Sequence, residues 1–377
     1  LESLGRVQEA IAVFHKAIEL APNSALIRVN LGNALLREMR IDEARETFEK
    51  VIAINPALAS SYDSLGTALK ETGLLDPALA AYGKAIELDP DNAPADSNRV
   101  YMLHFDPTID LPTLLKEHRA WNGRHAVKMR SKRRTSWSCM DSNDPILRVG
   151  FVSPDLRLHP VGRFFKPLLE NLDPSKIRSY CYSDTNVSDA MAQSFRRHSG
   201  EWRCVRGMPH DALADQIAAD GIHILVDLAM HMANNRMMLF ALKPAPIQVA
   251  WLAYCSTTGL ETMDYRISDP FMDPQGWWEE HYSEKTVRLP KTYWCYEPPT
   301  DGREVFDDEP GPLPALSNGV FTFGCLNNIS KINDGVLDAW GIIMNRVVGS
   351  RLILHAHEGM AREILRNKFA GRGVDPS

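Results

Sequence analysis

Two successive stretches of the chain, ALIRVNLGNALLREMRIDEARETFEKVIAINPAL (25–58) and ASSYDSLGTALKETGLLDPALAAYGKAIELDPDN (59–92), repeat each other at a step of 34 residues. Five columns recur at this step: Pro22, Pro56 and Pro90; Ala10, Ala44 and Ala78; Phe14, Phe48 and Tyr82; Leu20, Ile54 and Leu88; Gly32 and Gly66. Because independent columns agree on one period, chance is a poor explanation, and such a period is the signature of a repeat architecture. The start of the chain is therefore predicted to be an array of stacked repeats.

The pattern inside each unit predicts two helices that pack as a hairpin. Small side chains at Gly32 and Ala44 allow the helices to approach closely, and Phe48 lies four residues after Ala44 on the same helical face. Pro56 cannot continue the second helix and ends it. The pattern resembles the tetratricopeptide repeat, a helix-turn-helix unit of this length. The predicted units are a partial repeat at 1–24, complete repeats at 25–58 and 59–92, and a degenerate repeat at 93–126.

One polar position of the repeat is a candidate for binding extended polypeptide. Asn30, Ser64 and Asn98 share this position, and an amide side chain can bind a peptide backbone through one donor and one acceptor. Stacked repeats also present a concave surface. We therefore predict that protein partners bind in this groove. Ordinary polar surface is the alternative for the three side chains, and a packing scaffold is the alternative for the repeats.

A second region, which follows a predicted basic linker at 127–146, alternates strands with helices. Its strand candidates are short apolar or β-branched runs at 147–153, 177–182, 222–228, 246–253 and 264–268. Helical spacing is found between them at 161–171 and 211–219. This alternation predicts a parallel sheet with helices on both faces, whose ligands bind at the carboxyl ends of the strands. The predicted domain covers residues 147–296.

Polar side chains gather at three of these strand ends. They are Ser153, Asp155 and His159 after the first strand, Asp227 and His231 after a later one, and Cys255, Ser256, Thr257, Thr258 and Gly259 after the next. A single loop histidine is more often structural than catalytic, but three strand ends that bring His, Asp and Thr to one edge predict a site. The sequence has no HExxH, GxSxG, P-loop or GxGxxG motif, which argues against the enzymes and dinucleotide-binding folds that these motifs define.

A second alternating unit is predicted at 319–377, after an acidic linker rich in Pro and Gly at 297–318. Its elements are predicted as strands at 320–325 and 351–355, with a helix at 334–345 between them. Lys331 lies in the connection between the first strand and this helix. An ammonium group at that place can bind a phosphate.

Composition and charge exclude several classes of protein. Apolar residues make up 44% and charged residues 24% of the chain, which argues against a disordered, collagen-like or coiled-coil protein. The net charge of −6 argues against general binding to nucleic acid or to anionic membranes. The six cysteines form no CxxC pair, so neither a disulfide framework nor a cysteine zinc site is expected. A reducing, cytoplasmic compartment is predicted.

The two ends of the sequence predict a fragment of a longer protein. Leu1 is not a start residue, and no leader pattern follows it. The last residues, GVDPS (373–377), include no closing helix. No run of about 18 apolar residues occurs, so no membrane span is expected.

Three motifs that follow the repeats carry a family resemblance: RVGFVSPDLRLHPVGRF (148–164), KPAPIQVAWLAYCSTTGLETMDYRISDP (243–270) and FGCLNNISKI (323–332). In this order they resemble the O-linked N-acetylglucosaminyltransferases, most of all the bacterial members, which lack a large insert between the catalytic halves. The resemblance implies two Rossmann-like lobes of the GT-B type, with a sugar nucleotide bound between them. It also implies transfer of N-acetylglucosamine from UDP-N-acetylglucosamine to Ser or Thr hydroxyls of proteins, with inversion and without a metal or other cofactor.

The resemblance also implies roles by position. These are catalytic roles for His159, Asp227 and His231, donor binding by Thr257, Thr258, Asn328 and Lys331, and acceptor-peptide binding by Asn30 and Asn98, with Ser64 at the same repeat position. The residue types fit the chemistry, because an ammonium group stabilises the charge that develops on a leaving diphosphate. A histidine or an aspartate of suitable pKa can accept the proton of the acceptor hydroxyl. The choice between them stays open.

Departures from the family pattern bear on donor preference. Cys255 and Ser256 replace a Pro-Gly pair in the threonine turn (residues 255–259), Met230 and Met232 replace a Gly and a Thr around the second histidine, and Arg163 replaces a histidine. A changed turn alters how a threonine hydroxyl is presented, and the methionines remove a polar pocket group. A protein O-fucosyltransferase of the same family and a non-catalytic repeat scaffold therefore stay open as alternatives. The 377-residue chain alone is expected not to catalyse transfer.

Overall fold

The structure, a computed structural model, describes residues 6–141, 144–298 and 311–375. The chain divides into two compact units, one made of Leu1–Thr108 together with Thr300–Ser377 and the other of Ile109–Pro299. The centre of the predicted 297–318 linker, residues 299–310, lies outside the described residues, as do the first five residues of the partial repeat. The first unit contains the repeats and a small sheet, and the second contains a large sheet.

The repeats fold as pairs of helices, which confirms the prediction from their period. The helices are α1 (Val7–Leu20), α2 (Ala25–Arg37), α3 (Ile41–Ile54), α4 (Ala59–Glu71), α5 (Leu75–Leu88) and α6 (Ala93–Met102). The glycine column explains the strict spacing, because a Cβ atom on Gly32 would lie 2.4 Å from the ring of Phe48, and one on Gly66 would lie 2.8 Å from the ring of Tyr82. Both rings are buried. Each repeat therefore packs an aromatic side chain directly onto a backbone that has no side chain.

Two further columns of the repeat mark where helices end. α3 ends two residues before Pro56 and α5 ends two residues before Pro90, as expected for a residue that cannot continue a helix. The turn between the two helices of a unit contains a left-handed residue at one shared position. This residue is Met39 in one repeat, with φ of 58°, and Gly73 in the next, with φ of 76°.

The second unit is built on a parallel sheet, which confirms the predicted fold class. In the described residues its seven strands are β1 (Leu147–Ser153), β2 (Ile177–Ser183), β3 (Glu201–Cys204), β4 (Ile224–Asp227), β5 (Ile247–Ala250), β6 (Tyr265–Ser268) and β7 (Lys285–Arg288). They lie in the order β3-β2-β1-β4-β5-β6-β7, and all neighbours are parallel. The helices of this unit are α7 (Leu111–Arg124), α8 (Pro160–Glu170), α9 (Ala190–His198), α10 (His210–Ala219) and α11 (Met237–Ala241).

The centre of this sheet lies at β1 and β4, where the strand order reverses. Phe151 of β1, Val226 of β4 and Phe165 of α8 belong to one buried apolar cluster. β1 is buried from Val149 to Ser153. The crevice at the carboxyl ends of two strands at such a reversal is the usual ligand site of an open parallel sheet.

The sequence patterns did not predict the two edge strands. β3 (EWRC) and β7 (KTVR) lie at opposite ends of the strand order and have no fully buried position. Each has only four residues, and neither forms an apolar run. An edge strand covered on one side needs fewer apolar residues, so its composition gave little signal.

Residues 126–141, which include most of the predicted 127–146 linker, contact the large sheet domain. They form 3-10 helices at Ala126–Lys132 and Ser138–Asp141. Arg130 and Arg133 each form an ion pair of 2.7 Å with Glu261. These hydrogen-bonded guanidinium groups lower the pKa of Glu261 to about 2. Charge therefore fastens this basic segment to the domain that follows it.

The first unit also contains a small parallel sheet, as predicted for the second alternating region. In the described residues its two strands are β8 (Thr322–Cys325) and β9 (Arg351–Leu354), with helices α12 (Pro314–Asn318), α13 (Asp334–Arg346) and α14 (Met360–Ala370). Both strands alternate between exposed and half-buried residues. The helix packing around them buries Leu337 and Phe369 in one cluster with Ile329.

None of the helices in the described ranges is both long enough and apolar enough to cross a membrane.

Candidate active site

The carboxyl ends of three neighbouring strands carry the candidate residues of the large sheet. In the register of β1 and β4, Val152 pairs with Asp227, and in that of β4 and β5, Asp227 pairs with Ala250. Asp227, at the end of β4, and the loops that contain His159 and Thr257 therefore lie at the same end of the sheet. The strand order reverses between β1 and β4, which are two of these three strands.

His159 is the N-cap of α8. Its Nδ1 accepts a hydrogen bond from the Val161 N–H at 3.2 Å, and its backbone before Pro160 is extended. A ring nitrogen that accepts from a backbone amide carries no proton, so the proton of the neutral ring lies on Nε2. Burial lowers the pKa of His159, while Asp155 raises it and Arg157 lowers it further. The lowered pKa favours the neutral ring, in which the hydrogen bond to Nδ1 leaves Nε2–H as a donor.

The loop before His159 is fixed by an aspartate of α9. Asp189 caps α9 with Oδ1, and its Oδ2 accepts from the Leu158 N–H at 2.7 Å. A Cβ atom on Gly162 would lie 2.2 Å from the carbonyl oxygen of Arg157, so the loop rests directly on the first turn of α8. These contacts hold the backbone of His159 from both sides.

Asp227 is the last residue of β4 and is only 1% exposed. Its two carboxylate oxygens accept from the N–H groups of Ala229 and Met230 at 3.0 and 2.9 Å. Burial raises the pKa of Asp227 to about 7, although the two backbone hydrogen bonds lower it. A carboxyl group that titrates near neutral pH has the protonation behaviour of a general base.

His231 lies on the loop after β4 and is fully buried. Its Nε2 donates to the carbonyl oxygen of Thr258 at 2.8 Å. Its ring packs edge-on against Trp121 and His118 of α7, with centroids 4.8 and 5.2 Å apart. In this geometry His231 fastens the threonine turn to α7.

A glutamate that the sequence patterns did not single out holds the threonine turn. Glu284 is 5% exposed, and its Oε2 accepts from the Thr257 hydroxyl at 2.7 Å. Its Oε1 accepts from the Thr258 N–H at 2.7 Å and from the Thr258 hydroxyl. The Thr257 hydroxyl oxygen also accepts from the Ser283 N–H at 3.0 Å. Both threonine hydroxyls therefore donate to one buried carboxylate, and donor binding by Thr257 and Thr258 stays a prediction.

The two methionines that depart from the family pattern differ in their surroundings. Met230 is 2% exposed and has φ of 46°, in the left-handed region that favours glycine. A side chain there costs about 1–2 kcal/mol, which explains why the family pattern has a glycine at this place. Met232 packs against the buried apolar cluster of the sheet. Neither side chain offers a polar group.

The structure brings three of the predicted site residues into one bonded group. His231 is bonded to Thr258, and Thr257 and Thr258 share Glu284. Asp227 ends the strand that precedes the loop of His231, and His159 lies on the loop after the neighbouring strand β1. Of the three predicted catalytic residues, only His159 has a substantially exposed side chain, at 30%.

Asn328 and Lys331 lie in the short segment after β8. Asn328 caps the 3-10 helix Ile329–Lys331, and its side chain accepts from the Ser330 N–H at 2.9 Å. Asn328 and Lys331 are exposed, whereas Ile329 and Ser330 are buried. The segment therefore presents one amide and one ammonium group to solvent from a fixed backbone.

The candidate residues of the repeats lie on α2, α4 and α6. Asn30 is exposed. The Ser64 hydroxyl donates to Asn33 Oδ1 at 3.2 Å, and Asn98 Nδ2 donates to Asp63 Oδ1 at 3.0 Å. Burial raises the pKa of Asp63, against the effect of Asn98. Two of the three predicted positions therefore connect successive repeats, and peptide binding by all three stays a prediction.

In the parts of the chain that the structure describes, no three His, Cys, Asp or Glu side chains are grouped so that they could hold a metal ion. Independence from metal stays a prediction.

Comparison with known proteins supports the resemblance in both regions. Residues 118–303 match the model of glycosyl transferase family 41, and residues 1–69 and 59–92 match models of the tetratricopeptide repeat. A solved structure of the Thermobaculum terrenum O-GlcNAc transferase, a Lys-to-Met mutant, is 31% identical with a TM-score of 0.87. The alignment covers 100% of this chain and 74% of that one.

Curated plant proteins give the same result. The probable UDP-N-acetylglucosamine–peptide N-acetylglucosaminyltransferase SPINDLY of Oryza sativa subsp. japonica is 36% identical over 295 residues, which is 76% of this chain and 31% of the relative. The probable enzyme SEC of Arabidopsis thaliana is 30% identical over 234 residues, which is 61% of this chain and 24% of the relative. The chain thus spans about a third or less of the length of these relatives.

The chain combines helical repeats with a parallel sheet, and its match to the solved O-GlcNAc transferase at a TM-score of 0.87 gives it the fold of a repeat-containing glycosyltransferase. The chain belongs to glycosyl transferase family 41, as the resemblance predicted.

Proposed function

We propose that the intact protein transfers N-acetylglucosamine from a uridine diphosphate sugar to Ser or Thr side chains of proteins. The observation that carries this proposal is the match over the whole chain, at 31% identity, to a structure named as an O-GlcNAc transferase. SPINDLY and SEC are named for the same reaction. The described residues supply a suitable chemical group for each step of such a transfer.

In this proposal Lys331 binds the donor's diphosphate. Its ammonium group is exposed, and its backbone belongs to a short helix that Asn328 caps. A cation in this place stabilises the charge that develops on the leaving group and supplies part of what a metal ion supplies in other enzymes. Transfer should therefore survive removal of divalent metal with a chelator, and loss of the activity in the chelator would contradict this part of the proposal.

His159 acts in the proposal as a hydrogen-bond donor to the donor sugar or its phosphate. Nδ1 already accepts from the Val161 N–H, which leaves Nε2–H as the group that a ligand can meet. A general base must accept a proton, so this tautomer does not suit that role. His159→Gln, which keeps a side-chain N–H, should retain more activity than His159→Ala, and equal losses would contradict the assignment.

Asp227 is the proposed base, acting on the acceptor hydroxyl directly or through one water molecule. Burial raises its pKa to about 7, which matches the operating range of such a base. Its burial requires the loop at Ala229–Met230 to open or to admit water before the proton moves. Asp227→Asn should remove transfer while UDP binding remains. Wild-type transfer by this variant would exclude the role.

Acceptor proteins bind, in this proposal, along the repeats. Asn30 is exposed on α2, and Asn98 reaches Asp63 on the neighbouring repeat. Their shared position gives a row of amides at the spacing of the repeats, which suits an extended backbone. Replacing Asn30 and Asn98 with Ala should weaken transfer to proteins but leave hydrolysis of the donor intact. Equal loss of both would contradict the groove.

A fucose donor is the second candidate. Met232 packs on apolar side chains where the family pattern has a threonine, so the pocket loses a hydroxyl that a sugar could contact. A less polar sugar such as a deoxyhexose would lose least from this change. A panel of donors distinguishes the candidates.

Calorimetric binding of UDP to the intact protein tests the donor site. Lys331→Met should weaken UDP binding by roughly 1.5–3 kcal/mol, the scale of a charge-assisted hydrogen bond. Lys50→Met is the matched control, because Lys50 is an exposed lysine on α3 of the same unit. Unchanged affinity in Lys331→Met would refute the donor role of Lys331.

A further inference from the structure

We infer that the repeat at 59–92, called the second repeat here, positions Lys331: the turn at Gly73 sets where the Asn328–Lys331 segment lies. The inference rests on the proposed donor role of Lys331. Gly73 and the segment belong to the same compact unit. Gly73 does not contact the donor. It affects the position of Lys331 only through Ile329 and Ser330.

A hydrogen bond joins the segment to the end of α4. The Ser330 hydroxyl donates to the carbonyl oxygen of Lys70 at 2.8 Å. Lys70 lies in the last turn of α4, where carbonyl groups have no intrahelical partner. The Gly73 N–H also donates to this oxygen, at 3.0 Å. One carbonyl therefore connects the turn of the repeat with the residue next to Lys331.

A close apolar contact lies beside this hydrogen bond. A Cβ atom on Gly73 would lie 3.0 Å from Ile329 Cγ1, which is tighter than ordinary van der Waals contact. Gly73 has φ of 76°, and Met39 occupies the same repeat position with φ of 58°. The turn itself therefore accommodates a methionine. The close approach of Ile329 is what distinguishes the second repeat from the first.

A displacement of Ile329 by this contact should also move Lys331, because the two residues belong to one short helix. Ile329 and Ser330 are 7% and 8% exposed, and both contact the second repeat. Asn328 and Lys331 stand on either side of them and face solvent. Backbone hydrogen bonds close this short helix, from the Lys331 N–H to the Asn328 carbonyl oxygen at 3.0 Å and from the Ile332 N–H to the Ile329 carbonyl oxygen at 2.9 Å. Displacing Ile329 must therefore displace the backbone of Lys331.

The repeat at 25–58, called the first repeat here, makes a second attachment to the same small sheet. Asp42 Oδ2 on α3 accepts from the Met360 N–H at 2.9 Å, at the N-terminus of α14. A Cβ atom on Gly359 would lie 2.0 Å from the same oxygen, so this glycine makes the approach possible. A carboxylate at a helix N-terminus satisfies unpaired N–H groups and the helix dipole. Two successive repeats thus hold two loops of the small sheet.

Helix α4 is connected to both of the proposed binding sites. This helix carries Ser64 at the proposed acceptor position, and its end supports the segment that contains Lys331. The backbone position of Lys331 sets how many conformers of its flexible side chain reach the diphosphate, so a displaced backbone lowers the fraction that can bind. The second repeat therefore serves the donor as well as the acceptor.

The test compares Gly73→Met with Gly349→Met in the intact protein. Gly349 has φ of 79°, close to that of Gly73, but nothing lies within 4 Å of its added Cβ. Both variants place a methionine at nearly the same positive φ, and only at Gly73 does the added side chain meet Ile329. Ser330→Ala is the milder variant, because it removes one hydrogen bond and adds no bulk. The measurements are UDP affinity by calorimetry and the rate of tryptic cleavage after Lys331.

Gly73→Met should weaken UDP binding about tenfold, because a small misplacement of a positioned group has a large effect. Ser330→Ala should weaken it less, and both should speed cleavage after Lys331, whereas Gly349→Met should change neither. Wild-type UDP affinity in Gly73→Met, together with weak binding in Lys331→Met, would overturn the positioning role alone. Wild-type affinity in Lys331→Met would overturn the donor role and the positioning role with it.

Discussion

The large sheet and the small sheet hold their candidate residues in different ways. In the large sheet, β1 and β4 are buried along most of their length, and the polar residues at the strand ends bond to neighbours in the same domain. In the small sheet, β8 and β9 alternate exposed and half-buried residues. Its loops bond instead to the repeat helices.

Burial of the supporting strands decides which contacts hold a site in place. A strand covered on both faces holds its own end, so the groups that complete the site can be local, as Glu284 is for the threonine turn. A strand with half-buried side chains gives little support, and its loops depend on another element. In this chain that element is the pair of repeats that contain Asp42 and Gly73.

Hydrogen exchange should show the largest difference between the two sheets. Exchange of the amides of β1 and β4 should require an opening free energy about 4 kcal/mol higher than exchange of the amides of β8 and β9. The reason is that protection from exchange rises with buried apolar contact. The measurement is native-state exchange of the intact protein, read by mass spectrometry on peptides from each strand. Equal protection in the two sheets would break the comparison.

Replacing Glu284 tests the local support of the large sheet. Glu284→Ala should reduce the free energy of unfolding of the domain by about 3 kcal/mol, since two buried hydroxyls and one N–H lose their acceptor. Glu284→Gln, which keeps one acceptor oxygen, should cost less. Glu280→Ala is the control, because its side chain is 82% exposed. A loss no larger than that of the control, by urea denaturation, would show that Glu284 does not hold the turn.

Replacing Asp42 tests the external support of the small sheet and should have a smaller effect. Asp42→Ala should destabilise α14 by about 1 kcal/mol, the usual loss when a helix cap is removed. Asp76 lies 34 residues later at the same repeat position and is exposed, so Asp76→Ala is the control. Exchange of the α14 amides measures the effect. Equal exchange in the two variants would show that Asp42 of the first repeat does not support α14.

The repeats and the central strands of the large sheet were predictable because their signals are local. The period of the glycine and aromatic columns follows from Gly32 beneath Phe48 and Gly66 beneath Tyr82. The strands of the sheet centre are apolar runs, whereas β3 and β7 at the edges have no such run and were missed.

The supports of the site were not predictable, because they join residues that no pattern relates. Glu284 contacts Thr258 across 26 residues of sequence, and Asp42 contacts Met360 across 318. A buried glutamate and an exposed one look alike in a single sequence. Position in the family pattern identified Lys331 as a candidate, and only the fold shows that Ser330 and Ile329 beside it rest on a repeat.

Mass spectrometry of a Ser- and Thr-containing peptide library tests the proposed transfer most directly. The intact protein and its Lys331→Met variant would be incubated with UDP-N-acetylglucosamine, UDP-glucose and GDP-fucose in separate reactions. The intact protein should add one N-acetylhexosamine to Ser or Thr from the first donor only, and the Lys331→Met variant should lose most of that product. Addition of fucose or glucose alone, or no addition from any donor, would contradict the proposed transfer.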